Sequence, residues 1–172
     1  MIGAKITLPN GKRFAIVARS GSHTICWQSL PQELQTVPEG PNRWHPISVA
    51  PGAGPLETDE QPFGLCCIVR DPVERFRSSC ARQKVSVEEG LTRKEWDVHF
   101  WSLKFMGLHQ EGVTHFRFPD QLNDCAEWLG LPTPVPQLNE EAEELKPVLT
   151  PEQEARVREI YADDIVLWES LQ

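Results

Sequence analysis

Arg19-Ser20-Gly21-Ser22-His23-Thr24 follows directly on the apolar run Phe14-Ala15-Ile16-Val17-Ala18, and these residue types in this order suit the capture of an anion. A turn that leads from a strand into a helix leaves backbone N–H groups without partners, and the helix dipole adds partial positive charge there. Gly21 admits a close backbone approach, Ser20, Ser22 and Thr24 add hydroxyl donors, and Arg19 adds a permanent charge. A second segment of the same kind follows Leu65-Cys66-Cys67-Ile68-Val69. It is Arg70-Asp71-Pro72-Val73-Glu74-Arg75, with Ser78 eight residues beyond Arg70. An arginine forks onto phosphate oxygens and a serine hydroxyl donates a further bond. Each turn alone is equally well explained as a helix-capping turn. Together they suit a ligand with two separated phosphates. Neither is a Walker A loop, because the GxxxxGK[ST] string is absent.

The elements that must hold these turns follow from periodicity and punctuation. Ala4 to Leu8 and Arg13 to Ala18 predict a hairpin closed by Asn10-Gly11, whose second arm is apolar enough for a central strand. Ser22 to Leu30 predicts a short helix stopped by Pro31. Gly64 to Val69 predicts a buried strand, followed by a helix to about Arg82 with Asp71 as N-cap, Pro72 at N1 and Glu74 completing a capping box. Residues 92 to 106 predict a further helix with Trp96, Phe100, Leu103 and Met106 on one face. Val113 to Phe118 predicts a late strand, and Pro119 to Leu129 a helix closed by Gly130. Thr150-Pro151-Glu152 opens a terminal helix that bends near Tyr161-Ala162-Asp163-Asp164. The alternation predicts one α/β domain over residues 1–172, with a mostly parallel central sheet and helices on both faces, a three-layer P-loop-like arrangement. Residues 31–62 interrupt it with an irregular, proline- and glycine-rich segment expected to face the substrate.

Composition sets the outer limits. The 172 residues suffice for one domain with a real core, and the formal net charge of -8 argues against a general nucleic-acid binder. Arg70, Arg75, Arg77 and Arg82 form a basic island in this acidic chain; Arg75 and Arg77 are expected to be solvated helix residues. Five cysteines without a CxxC pair predict buried free thiols, with Cys66 and Cys67 on opposite faces of their strand. No run approaches the ~20 apolar residues that span a bilayer, so a cytoplasmic protein without a membrane partner is expected. No residue spacing suits a metal. Glu140 to Glu144 and Asp163-Asp164 are expected to lie on solvated faces.

Through these residues the chain resembles the sulfotransferase superfamily that uses 3'-phosphoadenylyl sulfate (PAPS), particularly its compact bacterial and carbohydrate-sulfotransferase-like branches. The resemblance covers Arg19 to Thr24, the Arg70-Asp71-Pro72 segment with Ser78, the His115-Phe116-Arg117-Phe118-Pro119 to Leu129-Gly130-Leu131-Pro132 stretch, and the tail from Leu138-Asn139-Glu140 through Leu149-Thr150-Pro151-Glu152 to Asp164. It implies that Arg19, Ser20, Gly21, Ser22, His23 and Thr24 hold the 5'-phosphosulfate of PAPS, and that Arg70 and Ser78 hold the 3'-phosphate. It further implies sulfuryl transfer to a hydroxyl of a carbohydrate or small molecule, with 3',5'-adenosine bisphosphate (PAP) as product. Two positions depart from the family. Arg19 stands where lysine is usual, and His23 where a small hydroxyl residue is usual. These departures keep a second reading open: a nucleotide- or anion-binding protein with the same fold and impaired catalysis. A homo-oligomer is neither required nor predicted.

The reaction needs charge stabilisation at the leaving oxygens and a base for the acceptor proton. Arg19 and the N–H groups of residues 20 to 24 would supply the first. His45, beside Trp44 in the irregular segment, is the first candidate for the base, and His23, nearest the expected sulfuryl group, is the second. His99 and His109 are expected on solvated or structural helix surface, and His115 as a packed residue of its strand.

Overall fold

The computed structural model describes residues 3–30, 52–57, 61–136 and 143–171. The hairpin forms where Asn10-Gly11 predicts it. Gly11 takes the left-handed φ of 81° that such a turn requires, and Leu8 and Lys12 close the loop with an N–H to carbonyl bond of 2.8 Å. Strands β1 (Gly3–Thr7) and β2 (Arg13–Ile16) therefore run antiparallel, with Ile6 opposite Phe14. Strand β3 (Ala53–Leu56) pairs antiparallel with the other side of β1. Strand β4 (Leu65–Val69) lies parallel to β2, and β5 (Thr114–Arg117) parallel to β4.

The sheet order is β3-β1-β2-β4-β5, a mixed sheet. This corrects the mostly parallel, P-loop-like sheet expected from the sequence. A two-residue turn can return a chain only antiparallel, so the hairpin already fixes one such pairing. The second comes from β3, which lies inside the stretch expected to be irregular. What remains of the α/β expectation is the trio β2, β4 and β5. Because these three are parallel, their C-terminal ends share one edge of the sheet.

Side chains alternate across the sheet and make two cores. Phe14, Ile16, Cys66, Ile68 and Phe116 face helices α1 (Ser22–Gln28) and α4 (Leu122–Leu129), which contribute Ile25, Cys26, Leu122, Cys125 and Leu129. Ala15, Val17, Cys67 and Val69 face the opposite way, against Leu103, Met106, Leu108 and Trp168. Cys66 and Cys67 thus point to opposite faces, and all five cysteines are buried free thiols. Helix α2 (Pro72–Gln83) starts at the expected cap, with the Asp71 carboxylate accepting from the N–H groups of Val73 and Glu74 and Pro72 in the first turn, but the Glu74 carboxylate pairs with Arg77 and Lys146 and does not complete the expected capping box. Its Val73, Phe76 and Cys80 pack with α3 (Val87–Thr92), Phe100, Val157 and Tyr161 in a third cluster.

The single helix expected over residues 92 to 106 is absent. Helix α3 gives way to a 3-10 turn at Arg93–Glu95, followed by turns through residue 107. Phe100, Leu103 and Met106 are buried as their spacing suggested, whereas Trp96 is exposed. The cause is local. The Asp97 side chain accepts the His99 N–H at 3.0 Å, a side-chain turn that competes with helical bonding.

The C-terminal segment bends where expected, into α5 (Pro151–Ile160) and α6 (Ala162–Ser170), and a Thr150–Gln153 capping box opens it. Asp164, however, is not solvated. Its carboxylate accepts from the Leu103 N–H at 2.8 Å and the Lys104 N–H at 3.3 Å, meets His109 Nε2 at 3.0 Å, and pairs with the Arg75 guanidinium at 3.5 Å. Arg75 is likewise buried, against the expectation of a surface residue. No described helix is long and apolar enough to cross a membrane.

His115 is the packed strand residue its position suggested. Its Nε2 lies 2.7 Å from the Leu108 carbonyl, which only accepts, so Nε2 carries the proton. Burial, aided by the charge of His109 and opposed by the Leu108 bond, lowers its pKa below the ordinary 6.5. The unfolded chain therefore binds more protons below that value, and the stability His115 contributes is present above it and lost as pH falls. The expected result is a urea midpoint that drops between about pH 7.5 and about pH 5.5, with a shallower drop in His115→Gln. Equal slopes in the two proteins would reject this assignment.

Candidate anion-binding site

The two turns singled out in the sequence lie at the shared C-terminal edge of β2 and β4, and they touch. Arg19 Nε donates to Ser78 Oγ at 3.1 Å, and Arg70 Nη1 donates to the Arg19 carbonyl at 3.1 Å. Arg19 has a left-handed φ of 64°, uncommon for a residue with a Cβ, and Gly21 follows with φ 77°. This backbone path leads from β2 into α1. It also brings the glycine against the end of β5. A Cβ on Gly21 would stand 2.9 Å from Phe118 Cδ2, so the close approach of these segments requires glycine.

The guanidinium charges of Arg70 and Arg82 act on that of Arg19 here. Arg19 is lowered to a pKa of about 10, first by burial and then by the charges of Arg70 and Arg82. It remains a cation at neutral pH. Arg70 also lies over the Phe118 ring, 5.1 Å from its centroid, and its Nη2 is 4.0 Å from the Glu74 carboxylate. The aromatic floor and the packing around the largely buried Arg70 side chain orient a planar fork at the edge of the sheet. Such a concentration of like charge costs free energy in the absence of an anion and stabilises one when it arrives.

The hydroxyls divide by role. Ser20 is fully buried, and its Oγ has no hydrogen-bond partner among the described residues. An unsatisfied buried hydroxyl costs about 1–3 kcal/mol, so a ligand oxygen is a natural partner for it. Ser22 is committed elsewhere. Its Oγ donates to the Val17 carbonyl at 2.7 Å and accepts from the Val17 N–H at 3.1 Å. Thr24 is buried in α1, and His23 is half-buried beside it. Ser78 is buried on α2 and presents its hydroxyl to Arg19. The turns thus bring together donors of the kinds that phosphate oxygens accept from: the guanidinium groups of Arg19 and Arg70 and the Ser78 hydroxyl, with the unpartnered Ser20 hydroxyl in the first turn.

His45 and Trp44 lie outside the described residues. Sequence reasoning overlooked Phe118, whose value as a floor depends on strand order. His99, expected to be solvated or structural, lies with its Nδ1 2.8 Å from Asp97 Oδ1. Among the described residues no group of three or more His, Cys, Asp or Glu side chains is placed to hold a metal ion. Comparison with protein-family models, with curated proteins and with solved structures gives no match.

Proposed function

We propose that this protein is a PAPS-dependent sulfotransferase that moves a sulfuryl group to a hydroxyl of a carbohydrate or small molecule. The observation that carries the reading is the Arg19–Ser78 hydrogen bond, which joins the phosphosulfate turn and the 3'-phosphate segment in one site. The 3' and 5' positions of a single ribose are close together, so turns that serve both ends of PAP must adjoin. The three arginines and the unpartnered Ser20 hydroxyl supply charge and donors for those two anionic ends.

Arg19 also favours the second reading, a protein that binds the nucleotide without transferring from it. Its guanidinium is drawn towards Ser78, the 3'-phosphate side, rather than held solely for the leaving oxygens. One assay separates the two. Radiolabelled PAPS is incubated with the protein and a panel of sugar and phenol acceptors, and labelled product and released PAP are counted. Sulfuryl transfer gives the two in equal amounts. Tight PAP binding without product on any acceptor selects the binding protein, and failure to bind PAP rejects both.

A further inference from the structure

Arg70, at the anion site, faces a carboxylate from the first turn of α2. Glu74 Oε2 lies 4.0 Å from Arg70 Nη2, and the same oxygen lies 3.4 Å from Lys146 Nζ. Two cations therefore share one carboxylate oxygen. The other oxygen, Oε1, accepts from Arg77 Nη1. Arg77 and Lys146 are themselves fastened. Arg77 Nε donates to the Pro147 carbonyl at 2.9 Å, Arg77 Nη2 pairs with Glu143 Oε1 at 2.6 Å, and Lys146 Nζ pairs with Glu143 Oε2 at 2.6 Å. Lys146 and Arg77 thus draw Glu74 towards residues 143–147, whereas Arg70 draws it towards the anion site.

The contact with Arg70 brings negative charge to the site without direction. A separation of 4.0 Å is beyond hydrogen-bond length, so Glu74 does not orient the guanidinium. Orientation comes from the Arg19 carbonyl, which accepts from Arg70 Nη1 at 3.1 Å, and from the Phe118 ring. A carboxylate that close to a phosphate-binding arginine opposes an incoming phosphate. Glu74 is more than a third exposed, so solvent keeps that opposition modest.

We propose that Glu74 is an internal competitor of the 3'-phosphate for Arg70, and that Lys146 sets the affinity for that phosphate by holding Glu74 off. The proposal rests on the reading above that gives Arg70 to the 3'-phosphate of PAP. With PAP bound, Glu74 belongs to Lys146 and Arg77. Once PAP has gone, Glu74 offsets the charge left on Arg70, which favours release of the product. Lys146 is a positioning residue that acts through Glu74: among the described residues its ammonium bonds Glu74 and Glu143.

Isothermal titration with PAP and 5'-AMP at one ionic strength tests this in Glu74→Gln, Lys146→Met and the double variant. Glu74→Gln tightens PAP binding by between about twofold and about fivefold, and 5'-AMP binding by much less. Lys146→Met releases Glu74 onto Arg70 and weakens PAP binding by a similar factor. In the Glu74→Gln background the Lys146→Met loss disappears, because the carboxylate it controls is gone. The opposite signs separate competition from damage to the fold, which weakens binding in either variant. Glu74→Gln protein that binds PAP as wild type does, or more weakly, or that gains equally for PAP and 5'-AMP, overturns the competition. An undiminished Lys146→Met loss in the double variant overturns the action through Glu74 and assigns it to the general field of the lysine. Both of those results leave the 3'-phosphate reading intact. Wild-type protein that binds PAP no more tightly than 5'-AMP overturns that reading and the competition with it.

Discussion

Arg70→Ala lowers affinity for PAP by between about tenfold and about a hundredfold and lowers that for 5'-AMP by much less. The magnitude follows from charge-assisted hydrogen bonds, worth about 1.5–3 kcal/mol each, with about 1.4 kcal/mol for every factor of ten. Selectivity for PAP is the sharper readout, because only PAP carries the 3'-phosphate. Arg70 also donates to the Arg19 carbonyl, so its loss frees the backbone at the left-handed residue and adds to the effect. Ser78→Ala removes a smaller, neutral donor and an acceptor for Arg19, and its effect is not additive with that of Arg19→Ala because the two side chains bond each other. Isothermal titration with PAP, 5'-AMP and ATP checks all of this. Equal losses for PAP and 5'-AMP in Arg70→Ala would remove the assignment of this edge to a 3'-phosphate.

The largest effect on stability is expected at the first turn of α2, where Arg75 meets Asp164. Asp164→Ala costs about 3–5 kcal/mol, because it strands the buried Arg75 guanidinium without its carboxylate. It also leaves the Leu103 and Lys104 N–H groups without the acceptor that ties the segment after Phe100 to α6. For a domain of this size the melting temperature falls by about 6–20 °C. Replacing both partners, as in Asp164→Leu with Arg75→Met, recovers the part of that loss due to the unpaired charge, while the Leu103 and Lys104 N–H groups still lack their acceptor. A single variant that melts within about 2 °C of wild type would show that the pair contributes little net stability.

The same two residues show where the sequence stops being legible. Arg75 and Asp164 are 89 positions apart, each in a charged local setting that suggests a solvated face, and nothing in either neighbourhood announces the other. The hairpin, the Asp71 and Thr150 caps and the strand at Leu65–Val69 were legible because turn residues, capping side chains and apolar runs act within a few positions. Strand direction was not. The parallel trio matched the expected alternation, but β3 entered from a stretch whose prolines and glycines hid a short edge strand. The helix expected over 92–106 failed for a related reason: apolar spacing recorded burial correctly, while the Asp97 side chain redirected the backbone. At the site, Arg19, Arg70 and Ser78 stood out in the sequence by type and spacing, and the structure brings them together. Their direct contact and the Phe118 floor depend on tertiary neighbours.

The Ser22 hydroxyl, bonded to both the N–H and the carbonyl of Val17, has a thermodynamic consequence. It closes the turn with bonds internal to the protein, so the loop geometry does not depend on an incoming ligand. An anion arriving there meets a preset cradle and orders little chain. The heat-capacity change expected for such binding is therefore small, without the large negative term that marks coupled folding.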